Sequence, residues 1–251
     1  MFFKSTALLT AIGLASVSHA LPSGVDADSR EPNSSIAHAS KNQDNLAIQY
    51  CGEKGAPAIH TTGDPETGPG FWITNNDGMT GNYFLYENSR DEHPWKYLTL
   101  DNGARRFVQV CPTWQGRVVR GTPAVNQDGK AHNLGTWAKS SVDSNGVMWG
   151  DVSFLEGSDG AAGVRTADGS NRLHGCTADL FAGAPAAALV AKGSGAQVLD
   201  KIVGDAPNAA ARAWMMSKCS ADEIYMEDNP PNPVLASYNG RMEFTFTKGR
   251  F

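Results

Sequence analysis

Apolar and polar residues alternate most cleanly near the end of the chain. Arg241-Met-Glu-Phe-Thr-Phe-Thr247 places Met242, Phe244 and Phe246 on one face and polar groups on the other, the signature of a half-buried strand. An Asn239-Gly240 turn introduces it. Shorter apolar runs recur from residue 46 onward: Leu46–Cys51, Gly70–Thr74, Asn82–Glu87, Lys96–Leu100, Arg106–Val110 and Gly116–Arg120. Gly, Asn and Asp clusters such as Asn75-Asn-Asp-Gly78 separate them. Many short strands at such intervals predict a mainly β protein, a sandwich or barrel. The stretch from Leu134 to Gly157 reads as a β-hairpin closed by Asn145-Gly146. That dipeptide tolerates the two positive φ angles of a type I′ turn.

The pattern changes between Arg172 and Cys219. Ala186–Ala191, Ala196–Val203 and Asn208–Lys218 are alanine-rich, and Val198, Leu199, Ile202 and Val203 fall at helical spacing. Pro185 suits a first helical turn. A small helical lobe over about 172–219, inserted before the last strand, is expected. The stretch Glu227–Pro233 reads as the return linker, because its prolines bar both helix and central strand.

Residues 1–20 have the form of a secretory signal peptide: Lys4, an apolar core from Ala7 to Val17, and Ser18-His19-Ala20 at the cleavage point. That core is too short to span a bilayer, and no other segment is apolar enough. Residues 21–45 are polar and poor in large apolar groups, so a disordered arm or pro-segment is expected there. Asn33-Ser34-Ser35 offers a glycosylation site in that arm. Residues 46–251 then form a single β domain. The net charge of −5 is mild and no basic cluster occurs, which argues against a nucleic-acid partner.

Four cysteines, Cys51, Cys111, Cys176 and Cys219, suit two disulfides in an oxidising compartment. They allow three pairings. We expect Cys51–Cys111 and Cys176–Cys219, because each closes a loop within one apparent structural unit. On the chain-entropy model each contributes about 4 kcal/mol. No Cys-x-x-Cys or His-x-x-x-His occurs, so no metal or other cofactor is expected.

Several motifs, in order, resemble the thaumatin-like proteins, and more closely the small fungal secreted members described as antigenic thaumatin-like proteins. They are Tyr86-Glu87-Asn88, Gly116-Arg-Val-Val-Arg-Gly121 and Gly150-Asp-Val-Ser153, within a stretch from about Gly70 to Asp159, with a further likeness at Asp168-Gly-Ser-Asn-Arg172. The resemblance implies a β-sandwich, a loop-rich second lobe and an acidic cleft between them. Plant members are defence proteins, and some bind or slowly cleave β-1,3-glucan with a cleft of one Arg, one Glu and several Asp. Matched onto those motifs, the Glu position holds Lys139 and the first Asp position holds Met148. Asp151 retains the second Asp, and Leu155-Glu156-Gly157 matches the Val-Asp-Gly that follows. Arg117 or Arg120 supplies the basic member. The many cysteines of typical plant members are absent.

Glycoside hydrolysis needs two carboxylates about the scissile bond. The available acids are Asp151, Glu156 and Asp159, so a weak endo-β-1,3-glucanase is the alternative reading. The Lys139 and Met148 replacements favour a secreted, non-enzymatic protein that binds cell-wall polysaccharide or a host protein as a monomer. For binding, Trp95 and Trp114 are the expected exposed stacking platforms, with Arg117 and Arg120 beside the cleft; Trp72, Trp137 and Trp149 are expected in the core. Glu87, Asp91, Glu92 and His93 form a polar cluster read as an inter-strand loop. His132 and His174 are read as structural.

Overall fold

The computed structural model describes residues 50–226 and 232–251. The expected signal peptide, arm and Asn33 sequon lie outside the described residues, as do residues 46–49 of the first expected strand and 227–231 of the linker. Tyr50 and Cys51 are not in a strand.

Among the described residues the strands are β1 (Ile59–His60), β2 (Gly70–Asn76), β3 (Gly81–Glu87), β4 (Lys96–Leu100), β5 (Arg105–Gln109), β6 (Gln115–Gly121), β7 (Trp137–Val142), β8 (Met148–Ser153), β9 (Ala161–Thr166), β10 (Leu173–Gly175), β11 (Leu189–Ala191), β12 (Gln197–Leu199), β13 (Leu235–Ser237) and β14 (Arg241–Thr247). A seven-stranded sheet runs β1-β4-β3-β6-β7-β8-β13 and a five-stranded sheet runs β10-β9-β14-β2-β5. The two pack face to face. Tyr83 of the first meets Phe246 of the second at 4.9 Å between ring centroids, and Phe71 meets Phe244 and Trp114.

The fold is therefore a mainly β sandwich, as expected. Strand β14 alternates buried and half-buried residues along its whole length. It pairs parallel with β2 and antiparallel with β9, so it lies inside its sheet rather than at an edge. That position explains its regularity: its side chains pack on one face, and both backbone edges are hydrogen-bonded.

The region before the last strands is less helical than its composition suggests. Its one full helix is α2 (Ala209–Lys218); the first expected helix reduces to a 3₁₀ turn over Ala186–Ala188. Residues 189–199 instead form the hairpin β11–β12, with Leu189 opposite Leu199 and Val190 opposite Val198. Gly193 and Gly195 interrupt the run, and Gly195 adopts φ +89° in the turn, where Lys192 N donates to Ala196 O at 2.8 Å. The turn and the β-branched pair outweigh the helical spacing of Val198, Leu199, Ile202 and Val203. A second, four-residue helix, α1 (Pro123–Asn126), lies between β6 and β7.

Helix α2 is capped by Asn208, whose side chain accepts from Ala211 N at 2.9 Å. It buries Ala211 and Met215 and ends at Cys219. Cys219 is bonded to Cys176, and Cys51 to Cys111, which is the expected pairing. No described helix is long and apolar enough to cross a membrane.

Candidate functional site

Strand parity decides what each residue faces. On the outer face of the seven-stranded sheet, Tyr86 lies opposite Arg117, Arg117 opposite Lys139, and Lys139 opposite Asp151. The four side chains form one row across β3, β6, β7 and β8. Arg117 is held by Asp91 at 2.7 Å and donates through Nη2 to Asn133 Oδ1 at 3.2 Å. Its guanidinium lies 4.0 Å from the Trp137 ring and 5.0 Å from the Tyr86 ring. Lys139 pairs with Asp151 Oδ1 at 3.2 Å and sits 4.7 Å from the Tyr225 ring.

Arg117, Lys139 and Asp151 are buried, at 4, 5 and 2 % exposure. Two atoms of the row, Arg117 Nε and Asp151 Oδ1, are buried without a hydrogen bond of good geometry. Burial raises the Asp151 carboxyl above its ordinary range, against the pull of Lys139. Burial also raises the nearby Tyr86 phenol to about 12. At the rim, Asp91 and Glu156 are half-exposed. Burial pushes the Glu156 carboxyl up, Lys201 and Arg117 draw it down, and Asp91 pushes it up again; the net shift is upward. Asp91 thus joins the row through Arg117. The sequence placed it in a loop cluster and gave no sign that the fold would turn it onto Arg117.

Arg120 does not join this site. Three residues after Arg117, it points inward, fully buried between the sheets. It donates to Asp77 at 2.8 and 2.9 Å, to Asp159 at 3.0 Å and to Ala161 O at 2.7 Å. Lys192, at the β11–β12 turn, donates to Asp159 Oδ2 at 2.6 Å. Tyr83 and Gly249 N complete the coordination of Asp77. Burial alone would raise the Asp159 carboxyl, but Lys192 and Arg120 outweigh it and hold it below the ordinary range. Asp159 is a structural counter-ion here. It is not available as a cleft acid, and Arg120 is not a binding residue at the surface.

The tryptophans also exchange places with expectation. Trp114 is fully buried, donates through Nε1 to Ser140 Oγ at 3.0 Å and packs on Phe71 and Trp95. It cannot present a stacking face. Trp72, Trp137 and Trp149 are half-exposed. Trp95 is half-buried and lines a groove of about 470 Å³ with Pro57, Ile59, Arg90 and His93.

Glu87, from the expected polar loop cluster, is buried instead. It accepts from Cys51 N at 2.5 Å and pairs with Arg90 at 3.0 Å. It stands close to the sulfurs of Cys51 and Cys111, which are bonded to each other. His174 pairs through Nδ1 with Pro233 O at 2.7 Å, and His132 with Asp128 at 2.9 Å.

The hairpin that carries Lys139 and Asp151 has Asn145-Gly146 at its tip, but not in a type I′ turn. Only Gly146 has positive φ, at +78°. Gly146 N donates to Asp143 O and Asp143 N to Val147 O, the pattern of a type I turn followed by a glycine bulge. Asp143 fixes the turn by accepting from the backbone N of Asn145 and Val147 and from Trp149 Nε1.

No protein-family model matches the sequence, and no curated protein matches it. Among solved structures, the chain is similar to the thaumatin-like xylanase inhibitor TLXI, with a TM-score of 0.42 and 11 % identity over 70 % of this chain and 97 % of that one. It is also similar to a laminaripentaose-producing β-1,3-glucanase in complex with laminaritetraose, with a TM-score of 0.33 and 18 % identity over 52 % of each chain. Both likenesses are partial, and the fold described above rests on the strand order and register of this chain itself.

Proposed function

We propose that this is a secreted, non-enzymatic, thaumatin-like protein that binds a cell-wall polysaccharide at the surface over Arg117. The carrying observation is the fate of the three candidate catalytic acids. Asp151 is sealed beneath Lys139 and Asp159 between Arg120 and Lys192; only Glu156 keeps partial access to solvent. A retaining or inverting hydrolase needs two carboxyl groups flanking the same glycosidic bond. The site favours holding a sugar over cleaving it. Half-exposed Trp137 supplies an aromatic edge, and half-exposed Asp91 and Glu156 supply acceptors for sugar hydroxyls.

One observation favours a weak endo-β-1,3-glucanase as the second reading. The half-exposed Glu156 carboxyl is raised, chiefly by burial, as a general acid requires. Both readings are tested by incubating the purified protein with insoluble β-1,3-glucan and chitin and assaying released reducing sugar in the same tubes. Depletion from solution without sugar release is expected, with severalfold weaker retention for Trp137→Ala. Sugar release that Glu156→Gln abolishes would establish the glucanase instead. Neither depletion nor release would point to a protein partner.

A further inference from the structure

The chain contains three Asn-Gly pairs, Asn102-Gly103, Asn145-Gly146 and Asn239-Gly240, all at turns, and the side chains of the last two are held very differently. We propose that Asn145 is a site of spontaneous chemical modification, deamidation through a succinimide, and that Asn239 is protected from the same reaction by its hydrogen bonds. In this reaction the Gly146 backbone nitrogen loses its proton and bonds to Asn145 Cγ. The Cγ–Nδ2 bond breaks and the amide leaves as ammonia. One water then opens the imide at either carbonyl, giving aspartate or isoaspartate. No oxidant or reductant is needed: one water enters and one ammonia leaves.

The hairpin tip suits each step. Ser144, Asn145 and Gly146 are exposed, so water and base reach them. Gly146 has no Cβ to shield its nitrogen, and a side chain added there would meet nothing within 4 Å. Gly146 N gives one turn hydrogen bond, to Asp143 O at 2.9 Å. Gly240 N gives a similar bond, to Ser237 O at 3.2 Å, so the nucleophiles are restrained alike.

The electrophiles differ. The Asn145 side-chain amide has no hydrogen-bond partner among the described residues, so Cγ turns freely. Asn239 donates through Nδ2 to Ala167 O at 2.6 Å, and its Oδ1 accepts from Arg241 N at 3.0 Å and Ser237 Oγ at 3.2 Å. Moving its Cγ onto Gly240 N breaks all three. Gly240 is also buried.

The product changes a surface. Asn145, Asp143, Pro69, Pro112, Thr113 and Arg241 line a groove of about 800 Å³, and deamidation adds a second carboxylate to the hairpin's side of it. Asp143 still fixes the turn in the aspartate form. The isoaspartate form inserts a methylene into the backbone of a three-residue loop whose length sets the strand register.

The test is peptide mapping by mass spectrometry of the folded protein aged at mildly alkaline pH, against the same chain denatured with its disulfides reduced. Conversion at Asn145 at least about tenfold faster than at Asn239 in the folded protein is expected, since releasing the three hydrogen bonds of Asn239 costs more than the one-bond equivalent of a tenfold rate difference. The two sites should convert at comparable rates in the denatured chain. Equal rates in the folded protein, or conversion of Asn239 first, would overturn the proposal. So would a folded Asn145 that stays intact while the denatured chain converts.

Discussion

Arg117 and Arg120 lie three residues apart on β6 and both are buried, yet their surroundings are opposites. Arg120 meets two carboxylates and backbone carbonyls, with Lys192 balancing the second carboxylate, and it holds the two sheets, the β11–β12 turn and the C-terminal residues together. Arg117 meets one half-exposed carboxylate, one amide and two aromatic faces, and its Nε stays unbonded. A buried charge with every hydrogen bond made serves the fold. A buried charge whose partners include a half-exposed carboxylate belongs to the rim as well as to the sheet.

The largest effect that would break this contrast is Arg120→Ala. It leaves Asp77 and Asp159 buried without their shared cation, and a loss of about 3–5 kcal/mol of stability is expected in denaturant unfolding. A loss below about 1 kcal/mol would mean that the inner network is not structural.

Next comes the Lys139–Asp151 pair of the outer row. Lys139→Met alone strands Asp151 and is expected to cost about 3 kcal/mol, whereas Lys139→Met with Asp151→Leu recovers most of it. Failure of the second change to rescue the first would give the pair a structural role like that of Arg120.

The acids sharpen the comparison through pH. Asp159 has a lowered folded-state carboxyl, so its contribution is present above the ordinary carboxylate range and is lost as pH falls through the lowered value. Glu156 has a raised one, so the fold binds its proton more tightly and stability falls as pH rises past the ordinary value. Asp159→Asn should therefore flatten the acid limb of a Tm-against-pH curve. Glu156→Gln should be neutral in acid and slightly stabilising near neutrality, by less than about 0.5 kcal/mol. The reverse order of pH dependence would contradict the assignment of Asp159 inside and Glu156 at the rim.

Part of the site was readable in the chain. Period-two alternation already implies that Arg117 and Arg120 face opposite sides, because residues three apart on a strand never share a face. The same parity implies that Trp72, beside Phe71 and Ile73, points away from the core. Those inferences need only the strand boundaries, which local pattern located within a residue or two for β2, β3, β4, β5, β6 and β14. Composition misled where packing overrode it. The alanine-rich residues 186–199 have helical propensity, but two glycines and a facing valine pair make a hairpin of them.

The sequence by itself determined the mainly β class, the half-buried strand β14, the helical stretch of α2 and the expectation of two disulfides, because each depends on periodicity, propensity or chain proximity within a short stretch. Only the tertiary structure decided which acids meet cations. Asp159 finds Lys192 across 33 residues and Asp151 finds Lys139 across a hairpin, while Asp91 turns from a loop onto Arg117. The reason is physical. A carboxylate's role depends on its burial and on the charges around it, and both are set by residues distant in the chain that folding alone brings together.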